Sequence, residues 1–142
     1  MLELPNAFLR EVGIQSLLIG VFLGGISVSI LGNLIVSDNN GKLIKVLIIG
    51  LTISSLSFIM TIMSSYELIL ILTEGWVEEV NPQILRQTGK PIWISLFLGL
   101  FSLIFVISLS GWLKGRKLGI ITTILGIITL LFLILTMFDC VK

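Results

Sequence analysis

Three strongly polar side chains lie inside or beside long apolar runs, and they are the first candidates for chemistry. Glu67 follows an apolar run from Val46 to Tyr66, and a further apolar stretch continues to Leu72. A carboxylate placed within apolar surroundings needs a partner or a proton, and it is a functional candidate by default. The alternative interpretation puts Glu67 beside Tyr66 at a polar boundary, where it ends the apolar core of the run. The second interpretation needs no partner and is the one that we expect.

Asn33 and Gln15 are the polar candidates of the first apolar run, which extends from Val12 to Val36. Gln15 lies one turn inside the start of this run, and Asn33 lies near its end. On a helix in an apolar medium, either side chain could hydrogen-bond to a neighbouring helix, a contact worth about 1 kcal/mol. We therefore keep both as candidate intramembrane polar residues.

Catalytic and metal chemistry finds little support in the residue types. The chain has no histidine and one cysteine, Cys140, which excludes an intramolecular disulfide and a Cys/His zinc site. The serines have no histidine to activate them, and no glycine-rich phosphate loop follows a strand. Glu74, Glu78 and Glu79 share a polar segment, where we expect a solvated face. The sequence therefore predicts a protein that is not an enzyme and that holds no metal or cofactor.

The composition is that of a membrane protein. Of 142 residues, 56% are hydrophobic and 12% are charged, and the mean hydropathy is +1.15. Soluble domains carry about 25% charged residues, so this chain has too little polar surface to cover a soluble core. The net charge of +1 gives no reason to expect nucleic acid as a partner.

The elements that must position these residues are four apolar helices, each long enough to cross a bilayer. A hydrocarbon core about 30 Å thick needs about 20 helical residues. The first run has too long an apolar core for a signal peptide, so we expect a retained span. We predict an all-α, polytopic membrane protein of one domain (1–142), with four transmembrane helices forming two antiparallel hairpins in a bundle. The predicted spans are 12–36, 46–66 extending to 72, 92–113 and 118–138.

The connections differ in length and character. Loops 37–45 and 114–117 are short, whereas 73–90 is a polar loop. We expect Pro91 in the first turn of the third span, where its missing N–H does no harm. Before it, Ile84, Leu85 and Val80 could place one face of a short helix on the lipid headgroups.

Aromatic and basic residues mark the ends of the spans. Aromatic rings are expected at the membrane boundaries, here Tyr66, Trp76, Trp93 and Trp112. The two short loops hold five basic residues, and the opposite side holds four; the five are Lys42, Lys45, Lys114, Arg116 and Lys117. Because basic residues in short loops favour the cytoplasm, we expect both termini outside the cell membrane.

Small residues recur at helical spacing along each span, where they allow helices to approach closely. We predict that such residues pack the helices together, and the leading positions are Gly20, Gly24, Ser54, Ser57, Thr61, Gly99 and Gly126. Gly20 and Gly24 form a GxxxG motif, which does not by itself distinguish packing within one chain from dimerisation. The alternative is that the serine and threonine face of the second span lines a hydrated path.

Short loops, packing stripes and the lack of chemical groups predict a small, non-enzymatic protein of the lipid bilayer. We expect it to act as a self-assembling or accessory subunit of a membrane complex, either as a homo-oligomer or with a membrane-protein partner. The alternative function is an oligomeric ion channel or small transporter with the first or second span lining the path.

Overall fold

The computed structural model describes residues 6–36, 41–73 and 82–140, and this part of the chain is helical without strands. The elements are α1 (Asn6–Val36), α2 (Lys42–Ile71), α3 (Pro82–Ser110), a 3₁₀ turn (Gly111–Leu113) and α4 (Arg116–Cys140). All four helices are long and apolar enough to cross a membrane. The prediction of an all-α, multi-pass membrane protein built from helical hairpins is confirmed. Trp76, Val80 and the acidic group of Glu74, Glu78 and Glu79 lie outside the described residues.

The third span begins earlier than the sequence suggested. Residues 82–90 belong to α3, so Pro91 lies inside the helix rather than in its first turn. Because residues 82–90 are polar, the sequence did not indicate that they continue the apolar helix. Pro82 is as suitable for the first turn of a helix as Pro91 is. The described residues 82–90 continue directly into α3, and Leu85 packs against the buried cluster of Leu68, Leu72 and Ile92. α3 has 29 residues and is therefore about 43 Å long, whereas the hydrocarbon core is about 30 Å thick. The polar first turns of α3 account for the extra length.

The contacts of the chain fall into two compact units, which are described separately. Unit 1 comprises residues 1–26 and 55–99, and unit 2 comprises residues 27–54 and 100–142. The helices differ in how much of their apolar length they bury. In their most apolar 18-residue windows, α2 and α3 bury 44% and 39% of residues, against 17% for α1 and 11% for α4. Much of the surface of α1 and α4 is therefore left for lipid or for another protein.

Within unit 1, α1 packs against α2 through glycines. A Cβ atom built on Gly13 would lie 3.1 Å from Ile69 Cγ1, and one on Gly20 would lie 3.0 Å from Ile62 Cγ1. The two pairs progress in opposite directions along the chain, so the helices are antiparallel. The absence of side chains at these positions allows the close helix approach that association in lipid requires.

Phe58 occupies the centre of unit 1. Its side chain is fully buried, and it lies against Gly24 of α1 and Gly99 of α3. A Cβ atom on Gly99 would lie 3.0 Å from Phe58 Cε1, so the ring fills the space that the missing side chains leave. Large and small residues thus interlock across three helices, as close packing requires.

Within unit 2, a tight turn joins α3 to α4. The Lys114 N–H donates to the Gly111 carbonyl, and Gly115 follows with φ +148°, a conformation that residues with a Cβ atom rarely adopt. Beyond the turn, the Thr122 hydroxyl donates to the Ser108 carbonyl over 2.8 Å. The side chain of Ser108 also fills the space beside Gly126. These contacts make α3 and α4 a closely packed antiparallel hairpin.

Candidate functional site

The three polar candidates from the sequence all have exposed side chains. Glu67 lies next to exposed Tyr66, four residues before the last residue of α2. Gln15 belongs to unit 1, as Glu67 does, whereas Asn33 belongs to unit 2. Their exposure means that a role for them within the membrane would involve lipid headgroups or another protein.

The seven helix-packing candidates are all buried, namely Gly20, Gly24, Ser54, Ser57, Thr61, Gly99 and Gly126. The GxxxG pair of α1 lies against the same chain, because Gly20 is next to Ile62 and Gly24 is next to Phe58. In unit 2, Ser54 lies 3.3 Å from Ser27, oxygen to oxygen, and the Ser102 hydroxyl donates to the Gly50 carbonyl over 2.7 Å. The GxxxG pair is therefore occupied by packing within the chain.

A second set of small and polar residues on α1 is exposed. Ser29, Gly32 and Asn33 in unit 2 form what we name the outer face of α1. Nothing lies within 4 Å of a Cβ atom built on Gly32, and the same is true of Gly25, a residue of unit 1. Ser29 and Asn33 are four residues apart and so lie on one side of the helix. Sequence reasoning singled out Asn33 but missed Ser29 and Gly32, because it counted small residues along the span without separating the two sides of the helix.

Buried hydroxyl groups gather between α2 and α3 in unit 1. Thr61 Oγ1 and Ser95 Oγ lie 2.9 Å apart, and both residues are buried. Each hydroxyl can instead donate its single proton to a carbonyl of its own helix, that of Ser57 for Thr61 and that of Pro91 for Ser95. Ser64 and Ser65 continue the buried hydroxyl-bearing face of α2 toward its C-terminal end. Carbonyls of the same helix thereby satisfy the hydroxyls of Thr61 and Ser95 inside an apolar bundle, whereas the buried oxygen of Ser65 has no partner.

An open apolar groove runs beside these hydroxyls. Its volume is about 380 Å³, and exposed Leu56, Met60, Ile94 and Leu98 line most of it. Ser57, Ser95 and Pro91 complete the lining. Apolar walls that open outward suit lipid chains, and no ionisable residue lines the groove.

Basic residues are concentrated in unit 2. The five that flank the two short connections are all exposed, namely Lys42, Lys45, Lys114, Arg116 and Lys117. A Cβ atom on Gly50 of α2 would lie 2.5 Å from Val106 of α3. Because the two helices run antiparallel from this contact, Lys42 and Lys114 lie at one end of unit 2. Trp112 precedes Lys114 by two residues, and its indole N–H donates to Thr123 Oγ1 over 3.1 Å.

Within the part of the chain that the structure describes, no group of three or more acidic or thiol side chains could hold a metal ion. The described residues provide four candidate features. They are the outer face of α1, the hydroxyl groups between α2 and α3, the apolar groove beside them and the basic end of unit 2. Comparison with known proteins places no further residue in a role: no family model, no curated protein and no solved structure matches this chain.

Proposed function

We propose that this protein is a non-enzymatic subunit of a membrane complex and assembles through the outer face of α1. The observation that carries the proposal is the division of small residues on α1. Gly20 and Gly24 pack within the chain, whereas Ser29, Gly32 and Asn33 remain exposed. In lipid, helices associate where small residues permit close backbone approach and where polar side chains bond across the contact.

Contact with lipid alone would neither pack the backbone at Gly32 against another helix nor satisfy the amide of Asn33. Gly32 presents backbone to the surroundings, and Asn33 presents an amide with two donors and an acceptor. A second helix laid against this face would bury the backbone at Gly32 and satisfy the amide of Asn33. The partner is either another copy of this chain or a helix of a different membrane protein.

The test is the mass and composition of the complex extracted from native membranes in mild detergent. We expect a homogeneous multimer of this chain or a complex with a second protein in fixed ratio. The Gly32→Leu/Asn33→Leu variant should dissociate that complex, because two bulky side chains would separate the helices. Gly89→Leu is the matched control, since a Cβ atom at Gly89 of α3 also has nothing within 4 Å. A wild-type protein that is monomeric in native membranes would contradict the proposal.

The second candidate is an oligomeric ion channel or small transporter with α1 or α2 lining the path. The buried hydroxyls of Ser57, Thr61, Ser64 and Ser65 favour it, because hydroxyl-lined helix faces can hold water. Flux through vesicles containing the purified protein, lowered by Glu67→Gln, would support this candidate. Vesicles that conduct no more than empty ones would count against it.

The protein's orientation is part of the proposal. We place the exposed basic end of unit 2 in the cytoplasm and both termini outside the cell membrane. Lys114, Arg116 and Lys117 lie in or beside a connection of a few residues, where basic side chains resist translocation most strongly.

A further inference from the structure

The apolar groove of unit 1 has two oppositely charged side chains near one of its ends. The groove lies between α2 and α3, and Pro91 lines it at the end nearest the start of α3. Lys90 directly precedes Pro91, and Glu67 lies near the C-terminal end of α2. Both charged side chains are exposed. An apolar surface and charges of both signs therefore occur together.

The register of α2 against α3 places Glu67 and Lys90 at one level. The two helices run antiparallel, and Thr61 Oγ1 lies 2.9 Å from Ser95 Oγ. Glu67 follows Thr61 by six residues, and Lys90 precedes Ser95 by five. At 1.5 Å per residue, both lie about 7.5–9 Å from this contact along the helix axes, in the same direction.

The two charged residues also share the helix faces that form the groove. Residues four and seven apart lie on one side of a helix. Lys90 lies four residues before Ile94, and Glu67 lies seven residues after Met60, and both Ile94 and Met60 line the groove. Because the axes of packed helices are about 8–10 Å apart, a small headgroup can lie between the two charged side chains.

Aromatic side chains mark this end of the groove as the headgroup level. Tyr66 and Trp93 are 55% and 51% exposed, and such residues are enriched where spanning helices leave the hydrocarbon. They lie one residue from Glu67 and three from Lys90. From Lys90 the groove follows α3 to Leu98, about 12 Å further along the helix. One leaflet of hydrocarbon is about 15 Å thick, so the groove follows most of a leaflet.

The walls of the groove fit a flexible hydrocarbon chain better than a second helix. Helices in lipid pack closely where the facing residues are small. Here the side chains at the opening are bulky, namely those of Leu56, Met60, Ile94 and Leu98. A hydrocarbon chain can bend to follow such a surface, whereas a helix would be held away from it.

The charged end discriminates among phospholipid headgroups. The Lys90 ammonium group can donate to a phosphate, which every phospholipid carries. The Glu67 carboxylate accepts hydrogen bonds from a primary ammonium group, which an ethanolamine headgroup has. A choline headgroup has no N–H, and a glycerol headgroup has no positive charge. The carbonyl of Gln87 is a second acceptor at this end, because Pro91 lacks the N–H that would bond to it in a regular helix.

We propose that this groove binds one molecule of phosphatidylethanolamine, with an acyl chain along Met60, Ile94 and Leu98, the phosphate at Lys90 and the ammonium group at Glu67. The site requires unit 1 alone and does not depend on the proposed assembly. A protein that is monomeric in native membranes would contradict the proposed function and leave the lipid site standing. A negative result for the lipid would likewise leave the proposed function standing.

A photoactivatable lipid tests the site in the unmodified protein. The purified protein is placed in phosphatidylcholine vesicles that contain a small fraction of phosphatidylethanolamine with a diazirine in one acyl chain. After illumination, mass spectrometry locates the labels. We expect labelling of Met60, Ile94 and Leu98 to exceed that of Leu125 and Phe132 of α4 several-fold, although the two sets are similarly exposed.

Two outcomes of this labelling would overturn the proposal. Equal labelling of the groove and of α4 would show only the lipid that surrounds every spanning helix. Weaker labelling of the groove than of α4 would mean that another chain covers the groove.

Competition and two variants test the headgroup. Replacement of part of the phosphatidylcholine by unlabelled phosphatidylethanolamine should lower groove labelling several-fold, whereas the same amount of phosphatidylglycerol should not. Glu67→Gln should abolish this difference between the two competitors, and Lys90→Gln should lower groove labelling several-fold. Glu11→Gln and Arg10→Gln are the matched controls, because both residues are exposed on α1 of the same unit and do not line the groove. Equal competition by the two lipids in the wild type, or unchanged discrimination in Glu67→Gln, would overturn the proposal.

Discussion

Thr61 Oγ1 and Ser95 Oγ lie 2.9 Å apart and join α2 to α3 inside unit 1. Each hydroxyl also reaches a carbonyl of its own helix, over 3.0 Å for Thr61 and 2.6 Å for Ser95. Loss of one partner therefore leaves the other with a hydrogen bond. We expect a double-mutant cycle of Thr61→Val and Ser95→Ala to give a coupling of about 0.6 kcal/mol, well below the cost of an unsatisfied group. Free energies of unfolding in bicelles would measure it, and a coupling above about 2 kcal/mol would show that the carbonyls do not compensate.

Phe58→Ala should destabilise the protein by about 3–5 kcal/mol, because the fully buried ring fills the space between Gly24 and Gly99. Reversible unfolding in mild detergent is the measurement. Phe22→Ala is the control, since its ring is 69% exposed and its loss leaves no internal cavity. Equal losses for the two variants would mean that the ring of Phe58 is not confined by its neighbours.

Gly126→Ala should loosen the contact between α3 and α4 in unit 2. The new methyl group would meet the side chain of Ser108, which is buried and donates to the Ile104 carbonyl. Overpacking of this kind costs about 1–3 kcal/mol. In the same unfolding assay, Gly89→Ala in α3 should be neutral or stabilising, because it meets open space and favours the helix. A neutral Gly126→Ala would indicate that Ser108 moves aside without cost.

Replacement of Lys114, Arg116 and Lys117 by glutamine should produce chains with the opposite orientation. These three exposed residues are the basic residues in the connection between α3 and α4 and in the first turn of α4. A reporter fused to the C-terminus, active only outside the cytoplasm, should report an outside terminus for the wild type and a mixture for the variant. Replacement of Arg10 and Lys90, which belong to the other unit, should leave the orientation unchanged. An inside terminus in the wild type would reverse the proposed orientation.

The number and type of elements could be predicted because hydropathy over about 20 residues is a strong signal. The start of α3 could not, since residues 82–90 are polar and Pro91 resembles a helix start. A proline is nevertheless tolerated within a spanning helix when neighbouring groups satisfy the freed carbonyl. Sequence periodicity treats an internal proline and an initial proline alike, so the contacts of Leu85 were needed to decide.

The direction in which each small residue points was only partly predictable. Periodicity grouped Gly20 with Gly24 but did not say whether the partner helix belongs to the same chain. Gly25 and Gly32 differ from them in position around the helix and not in type, so their exposure depends on where α2 packs. The same holds for Ser65, whose hydroxyl resembles that of Thr61 in sequence but not in its surroundings.

The turn between α3 and α4 has a consequence for how the chain folds during synthesis. The bonds from Thr122 to Ser108 and from Trp112 to Thr123 span 14 and 11 residues of sequence. Contacts that are local in sequence require little loop-closure entropy and form quickly. The last two spans can therefore pair with each other as soon as both have left the ribosome. Insertion of the second half of the protein is then the insertion of one preformed hairpin rather than of two independent helices.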